Sequence, residues 1–288
     1  MFRTRGPAAM PTLDDKVDTA AVGPVAGVVR ETNYLGVPIS LLDAQGAAEA
    51  IAARPVGAPF AYVVTPNAAH FTRLVRLRDA RFQRAYDRAW LRLLDGATPR
   101  KLARLLFKLD LPHAAGSDVT ALLFERHITP ADAITVIGGS EELRGLLMAK
   151  FGLTDVALYN PPMGFIRDVS QVEACIAFVL AHPARYVFFV VGAPQSEYLA
   201  GMVHERGGAV GTGLCVGSAL NFTAGLVKRA PMFYRRYGLE WAHRLMLNPF
   251  GHARRVFVDS LPVVGIALQA KINPAAFGMG GNDDKDRG

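Results

Sequence analysis

Residues 134–147 read ITVIGGSEELRGLL. Four apolar residues rich in β-branching run into a glycine pair, a serine and two glutamates, after which leucines recur at three- and four-residue spacing. That is the signature of a strand, a tight turn and the start of a helix. The same unit is repeated on both sides. Short apolar runs stand at AYVVT (61–65), WLRLLD (90–95), DVALYN (155–160), YVFFVVGAP (186–194) and AVGTGLCVG (209–217). Between them AAHFTRLVRLRDARFQRAY, SEELRGLLMAKFG and VSQVEACIAFVLA carry helical spacing. Strands alternating with helices predict an α/β fold, a Rossmann-like, mostly parallel sheet sandwiched by helices.

The chain has 288 residues, 51% of them hydrophobic, enough for one large domain with an appendage. Residues 1–30 and 275–288 are rich in Gly, Pro, Ala and charge and read as disordered tails. The α/β core then spans 31–225, and an appendage spans 226–274. A formal net charge of +7 points to an anionic partner: nucleic acid, a phosphorylated small molecule or an acidic membrane surface. The two cysteines, Cys175 and Cys215, sit in apolar settings, which argues against a disulfide framework or a cysteine zinc site and makes a reducing, cytoplasmic location the expectation. The first residues lack an apolar run of signal-peptide length, and no apolar run is long enough to span a bilayer.

In open parallel sheets ligands sit beyond the carboxyl ends of the strands. The polar and glycine-rich residues of this chain fall there: Thr65, Pro66 and Asn67, then Asp95 and Gly96, then Gly138, Gly139 and Ser140, then Ala193 to Glu197. Asp95 closes the run LRLLDG, where a carboxylate facing the crevice suits a general base and equally suits a turn or helix N-cap. TPN before a helix is likewise good capping chemistry. Backbone N–H groups after Gly138 and Gly139 suit a phosphate at a helix N-terminus. G-x-G-x-x-G is absent, and Gly211, Gly213 and Gly217 are spaced differently, so the dinucleotide signal is weak. P-loop, H-E-x-x-H, paired C-x-x-C and G-x-S-x-G motifs are absent. D-x-D occurs only as Asp284 and Asp286, so neither a bound metal nor a metal-held diphosphate is expected.

Charge and aromatic residues concentrate in GLVKRAPMFYRRYGLEWAHRLMLNP (225–249). Between 226 and 260 seven basic residues, including Arg229, Arg236 and Arg244, face two acidic ones, with Phe233, Tyr234, Tyr237 and Trp241 interleaved. The pattern suits a helix lying in a lipid interface, or one that packs its aromatics on the core and solvates its charges. A helix around 68–92 is also basic. Three readings stay open on the residues alone: a transferase, a nucleotide-cofactor oxidoreductase, and a non-enzymatic membrane- or nucleic-acid-binding module.

Taken in order, YLGVPISLLDAQGAAEAI, VVTPNAAHF, LLDG, AAGSD, VIGGS, NPPMGF, VVGAPQSEYLA and GLVKRAPMFYRRYGLEWAHRL resemble the WecG/TagA/CpsF family, glycosyltransferase family 26, over residues 34–258. NPPMGF and GLCVGSALNF look most like its exopolysaccharide branch. The resemblance implies an inverting enzyme, without an essential metal or other cofactor, that moves a sugar from a UDP-sugar to a polyprenyl-diphosphate-linked sugar. It would work as a peripheral protein on the inner face of the cytoplasmic membrane, with an anionic membrane surface as partner, self-association allowed and no nucleic acid. By position, Asp95 matches the family's proposed catalytic base, and Thr65, the second catalytic candidate, lines the same pocket with Asn67. Gln195 and Glu197 of the GAPxxE loop and the glycines Gly213 and Gly217 match the nucleotide side, and Gly138, Gly139 and Asn221 are counted with them as candidate substrate-binding residues. The cations Arg229, Arg236 and Arg244 match a segment that closes over the site. Two departures stand out: Ser196 replaces the polar Gln of GAPKQE or GAPQQE, and Asn221 stands where many members carry Asp.

Overall fold

A computed structural model describes residues 29–227 and 261–279. The amphipathic stretch 228–260, with Arg229, Arg236 and Arg244, and most of both expected tails lie outside the described residues.

All six expected runs form strands of one parallel sheet: β3 (Ala61–Val64), β4 (Leu91–Arg92), β5 (Ile134–Ile137), β6 (Val156–Tyr159), β7 (Tyr186–Phe189) and β8 (Thr212–Cys215), in the order β4-β3-β8-β7-β5-β6. The sheet is buried on both faces, and its side chains alternate with the pleat. Tyr62, Val64, Val187, Phe189 and Cys215 join one apolar cluster, whereas Val63, Tyr186, Phe188 and Leu214 join the other. Each of these large side chains contributes about 1.5–3 kcal/mol by leaving water, so the two-sided sheet dominates the stability of the core.

Two helical layers cover it. One holds α1 (Ala44–Ala52), α5 (Gly116–Arg126), α6 (Glu141–Phe151) and α9 (Ala219–Ala224). The other holds α2 (Ala68–Phe71), α3 (Ala80–Asp87), α4 (Ala97–Phe107), α7 (Val169–Ala181), α8 (Gln195–Arg206) and α10 (Pro262–Ile272). Helices after β3 and β7 lie on one face and those after β5 and β8 on the other. Along β3-β8-β7-β5 successive helices therefore alternate between the faces, and the loops at the carboxyl edge diverge between each pair of neighbours, where such sheets open a crevice.

The sequence reading missed a hairpin of β1 (Glu31–Tyr34) and β2 (Val37–Ser40). Its two turn residues, Leu35 and Gly36, both have positive φ, 53° and 80°, the type I′ geometry usually signalled by Asn-Gly. The basic helix expected at 68–92 is instead three pieces: α2, a π-turn over Thr72–Arg76, and α3. Arg78 at φ 50° breaks the run, and Asp79 restarts it by accepting from the Phe82 N–H at 3.0 Å. Much of its charge serves the chain itself. Arg73 pairs with Asp79 at 2.8 Å, Arg88 with Glu205, and Arg81 lies over the Tyr198 ring.

At its far end, the segment assigned to an appendage carries α10, whose Val263, Ile266, Ala267 and Ala270 are buried against α4, α2 and the π-turn. The chain then makes a 3-10 turn over Pro274–Phe277 and returns to the hairpin, where the Leu35 N–H donates to Met279 Sδ at 3.3 Å. Residues 275–279, read from composition as the start of a tail, are therefore tied to the core.

Candidate active site

The β3 and β4 loops are held side by side by backbone bonds that continue past the strands. The Leu93 N–H donates to Val64 O and the Asp95 N–H to Pro66 O, both at 2.9 Å. Asp95 is thereby fixed next to the Thr65–Asn67 loop, and the Cβ position of Gly96 lies 4.0 Å from Asn67 Cβ. Asp95 is half-buried. The N-cap of α4 is the next residue, Gly96, at φ 94°. For Asn67 the capping reading holds, because its Oδ1 accepts from the N–H groups of Ala69 at 3.0 Å and His70 at 3.3 Å. Thr65 is buried, and its hydroxyl donates to Cys215 O at 3.2 Å, stitching the end of β3 to the end of β8.

At the Gly138–Gly139 turn, expected to cradle a phosphate, packing and charge give that role no support. Both have positive φ, 96° and 87°, and a Cβ on Gly138 would come 2.8 Å from Val191 Cγ1. Gly138 is a glycine because the β5 and β7 loops pass this closely, and a Cβ on Gly139 would come 2.7 Å from Leu143 Cδ2 of α6. The helix they lead into is already capped by Ser140, and Glu141 and Glu142 in its first turn oppose an anion there.

The GAPxxE loop turns its side chains inward. The Gln195 amide nitrogen, oriented by its hydrogen bonds, donates to the carbonyls of Gly192 and Ala193 at 3.2 Å. The Ser196 hydroxyl donates to Phe189 O at 3.0 Å. Ser196 is thus committed to the core, and the departure from GAPKQE leaves no altered side chain facing the crevice. Glu197 is buried as well, and burial raises its carboxyl from the usual carboxylate range to about 8, with a backbone hydrogen bond and Arg73 pulling the other way. What this loop offers outward is backbone, at a helix start with no side-chain cap.

Gly213 is likewise not on the ligand side. It lies within β8, and a Cβ there would meet Phe60 Cζ at 2.6 Å. Gly217 makes the turn after β8 at φ 58° in open space. Asn221 follows in α9, with its buried Oδ1 lacking a hydrogen-bond partner. A pocket among α5, α6 and α9, lined by Glu125, Lys150, Phe151, Phe222 and Thr223, holds none of the expected site residues.

Arg92 was missed by sequence reading. It is buried in β4, donates from Nε to Tyr86 O at 2.7 Å and from Nη2 to Asp87 O at 2.9 Å, and pairs with Glu31 at 3.1 Å. An arginine in the middle of the apolar run WLRLLD was the available signal, since a buried cation must be met by acceptors.

An open parallel sheet whose polar loops gather at the carboxyl edge, with a half-buried carboxylate between two strand ends, is an arrangement common among α/β enzymes. The chain matches the model of the "Glycosyl transferase WecG/TagA/CpsF family" over residues 32–276 and belongs to that family. It is 26% identical over 178 residues to the N-acetylglucosaminyldiphosphoundecaprenol N-acetyl-beta-D-mannosaminyltransferase of Bacillus spizizenii, covering 60% of this chain and 66% of that protein, just under two thirds of its length. No helix among the described residues is long and apolar enough to cross a membrane.

Proposed function

We propose that this chain is an inverting glycosyltransferase that moves a sugar from a UDP-sugar to a sugar carried on a polyprenyl diphosphate, in the making of an exopolysaccharide or other cell-surface polysaccharide. The observation that carries the reading is the fixed position of Asp95 against the Thr65–Asn67 loop, at the carboxyl edge of the sheet, where open parallel sheets bind their ligands. The acceptor named for the Bacillus relative, a diphosphoundecaprenol-linked sugar, supports the acceptor class.

In this reading Asp95 takes the proton of the acceptor hydroxyl as that oxygen bonds to the anomeric carbon from the face opposite the nucleotide. The bond from the anomeric carbon to UDP breaks, and its electron pair leaves on the diphosphate. Thr65 and Asn67 are already committed to backbone bonds, so they hold the pocket wall in place while Asp95 works. The uncapped start of α8 faces the nucleotide with N–H groups, and Asn221 Oδ1 has an unspent acceptor for a ligand donor. Arg229, Arg236 and Arg244 are assigned from sequence alone to the leaving diphosphate and to an anionic membrane surface at which the enzyme is peripheral. No metal is essential in this account.

The test is UDP release by the purified protein with a panel of UDP-sugars and a polyprenyl-diphosphate sugar acceptor, with and without EDTA. Donor-specific release that survives EDTA supports the reading. NAD(P) binding in calorimetry with no UDP binding would favour the oxidoreductase alternative instead.

A further inference from the structure

Below the Thr65–Asn67 loop lies a set of buried ionisable side chains that the transfer chemistry does not use. Glu197 is 2% exposed, His70 6%, Tyr86 1% and Arg92 8%. They come from four elements and touch in series. Glu197 Oε1, in the first turn of α8, lies 4.0 Å from His70 Nε2 in α2. His70 Nδ1 lies 2.7 Å from the Tyr86 hydroxyl in α3, and Tyr86 O accepts from Arg92 Nε at 2.7 Å. Arg92 stands in β4, three residues before Asp95. The backbone N–H of His70 is also one of the two capped by Asn67. The series therefore begins at the GAPxxE loop, passes under TPN and ends on the strand that carries Asp95.

Resting on the transferase reading above, we propose that Glu197 and His70 are positioning residues: an uncharged Glu197 carboxylic acid set against the His70 imidazole holds the nucleotide-side loop in register with the Thr65–Asn67 loop and Asp95. Glu197 Oε2 is buried with no hydrogen-bond partner, a placement that costs a neutral carboxylic acid far less than a carboxylate. The groups around it do not supply a full counter-charge. Arg73 from the π-turn attracts it, the Cys215 thiol of β8 and the Tyr86 hydroxyl are both pushed up in pKa by burial and by Glu197, and Asp95 and Arg92 act on Tyr86 with opposite sign. Burial keeps the carboxyl protonated up to about pH 8. With the carboxyl protonated, the 4.0 Å contact with His70 is not an ion pair.

The direction of the pH effect follows. The folded chain binds the Glu197 proton more tightly than the unfolded chain does. Stability from this group is whole below the ordinary carboxylate range and is lost as pH rises toward about 8. Glutamine, which is neutral and of the same shape, removes that loss.

The experiment compares wild type, Glu197→Gln and Glu197→Ala by thermal unfolding from about pH 5 to 9 and by UDP-sugar turnover across the same range. The melting temperature of wild type is expected to fall relative to Glu197→Gln as pH rises to about 8, and then to run parallel with it. Alanine is expected to cost about tenfold to a hundredfold in kcat/KM at every pH by letting the loops shift, and glutamine to restore it and to remove the alkaline decline. Parallel melting of wild type and Glu197→Gln throughout, or glutamine as inactive as alanine at neutral pH, would overturn the proposal. Failure of wild type to turn over any UDP-sugar would defeat the transferase reading alone, because the melting comparison does not depend on it.

Discussion

Replacing Arg92 by Met removes three hydrogen bonds from a buried guanidinium while keeping most of its apolar volume. The three are not equal. Glu31 is one-third exposed and Asp87 is exposed, so water replaces much of what their oxygens lose. Tyr86 O is buried and keeps only backbone bonds at the end of its own helix, from the Arg88 N–H and, at 3.3 Å, from the Ala89 N–H. A hydrogen bond to a charged group is worth about 1.5–3 kcal/mol, and a buried orphaned acceptor costs a similar amount. The methionine side chain is easier to desolvate than a guanidinium, which offsets part of the loss. The net expectation for Arg92→Met is a destabilisation of about 3 kcal/mol, or a fall in melting temperature of about 6–12 °C for a domain of this size. Urea unfolding followed by circular dichroism measures it. A change below about 1 kcal/mol would show that Arg92 does not bind α3 and the hairpin to β4 as the geometry requires.

Two other perturbations test the placement of residues. Gly213→Ala drives a Cβ to 2.6 Å from Phe60 Cζ and is expected to cost about 1–3 kcal/mol in thermal unfolding with UDP affinity unchanged once folded; a stable variant with weakened UDP binding would return Gly213 to the ligand side. Cys175 and Cys215 are buried, and burial raises the Cys175 thiol to about 11 and Cys215 upward too, so a thiol reagent at neutral pH should label neither in the native protein and both after denaturation. Rapid native labelling of either would contradict the packing of α7 or β8.

Strand positions were legible because apolar runs bounded by turn residues survive any tertiary context, and all six formed where expected. The positions of Thr65, Asn67 and Asp95 followed from them, since a strand end in a parallel sheet marks a site. The inward turn of the GAPxxE loop was less visible, although Ser196 stands three and four residues before Leu199 and Ala200, which continue to Val203 on the buried face of α8. That spacing marked Ser196 as core, while motif position marked it as ligand side, and the packing decided. Gly213 misled in the same way: a glycine in a strand reads as a ligand approach, yet here it makes room for the Phe60 ring. The hairpin was hidden because Leu35-Gly36 takes a turn usually written Asn-Gly. The basic run at 68–92 looked continuous because charge hides a break that only Arg78 and Asp79 reveal.

Asp95, held against the Thr65–Asn67 loop, is the proposed base of sugar transfer. The most direct test is kcat for UDP-sugar transfer by Asp95→Asn beside its melting temperature and its UDP affinity by calorimetry. Loss of a general base predicts a fall of about 10²–10⁴ in kcat, with melting and UDP binding unchanged. Turnover within about threefold of wild type, from a variant that melts normally, would contradict the account and remove Asp95 from the chemistry.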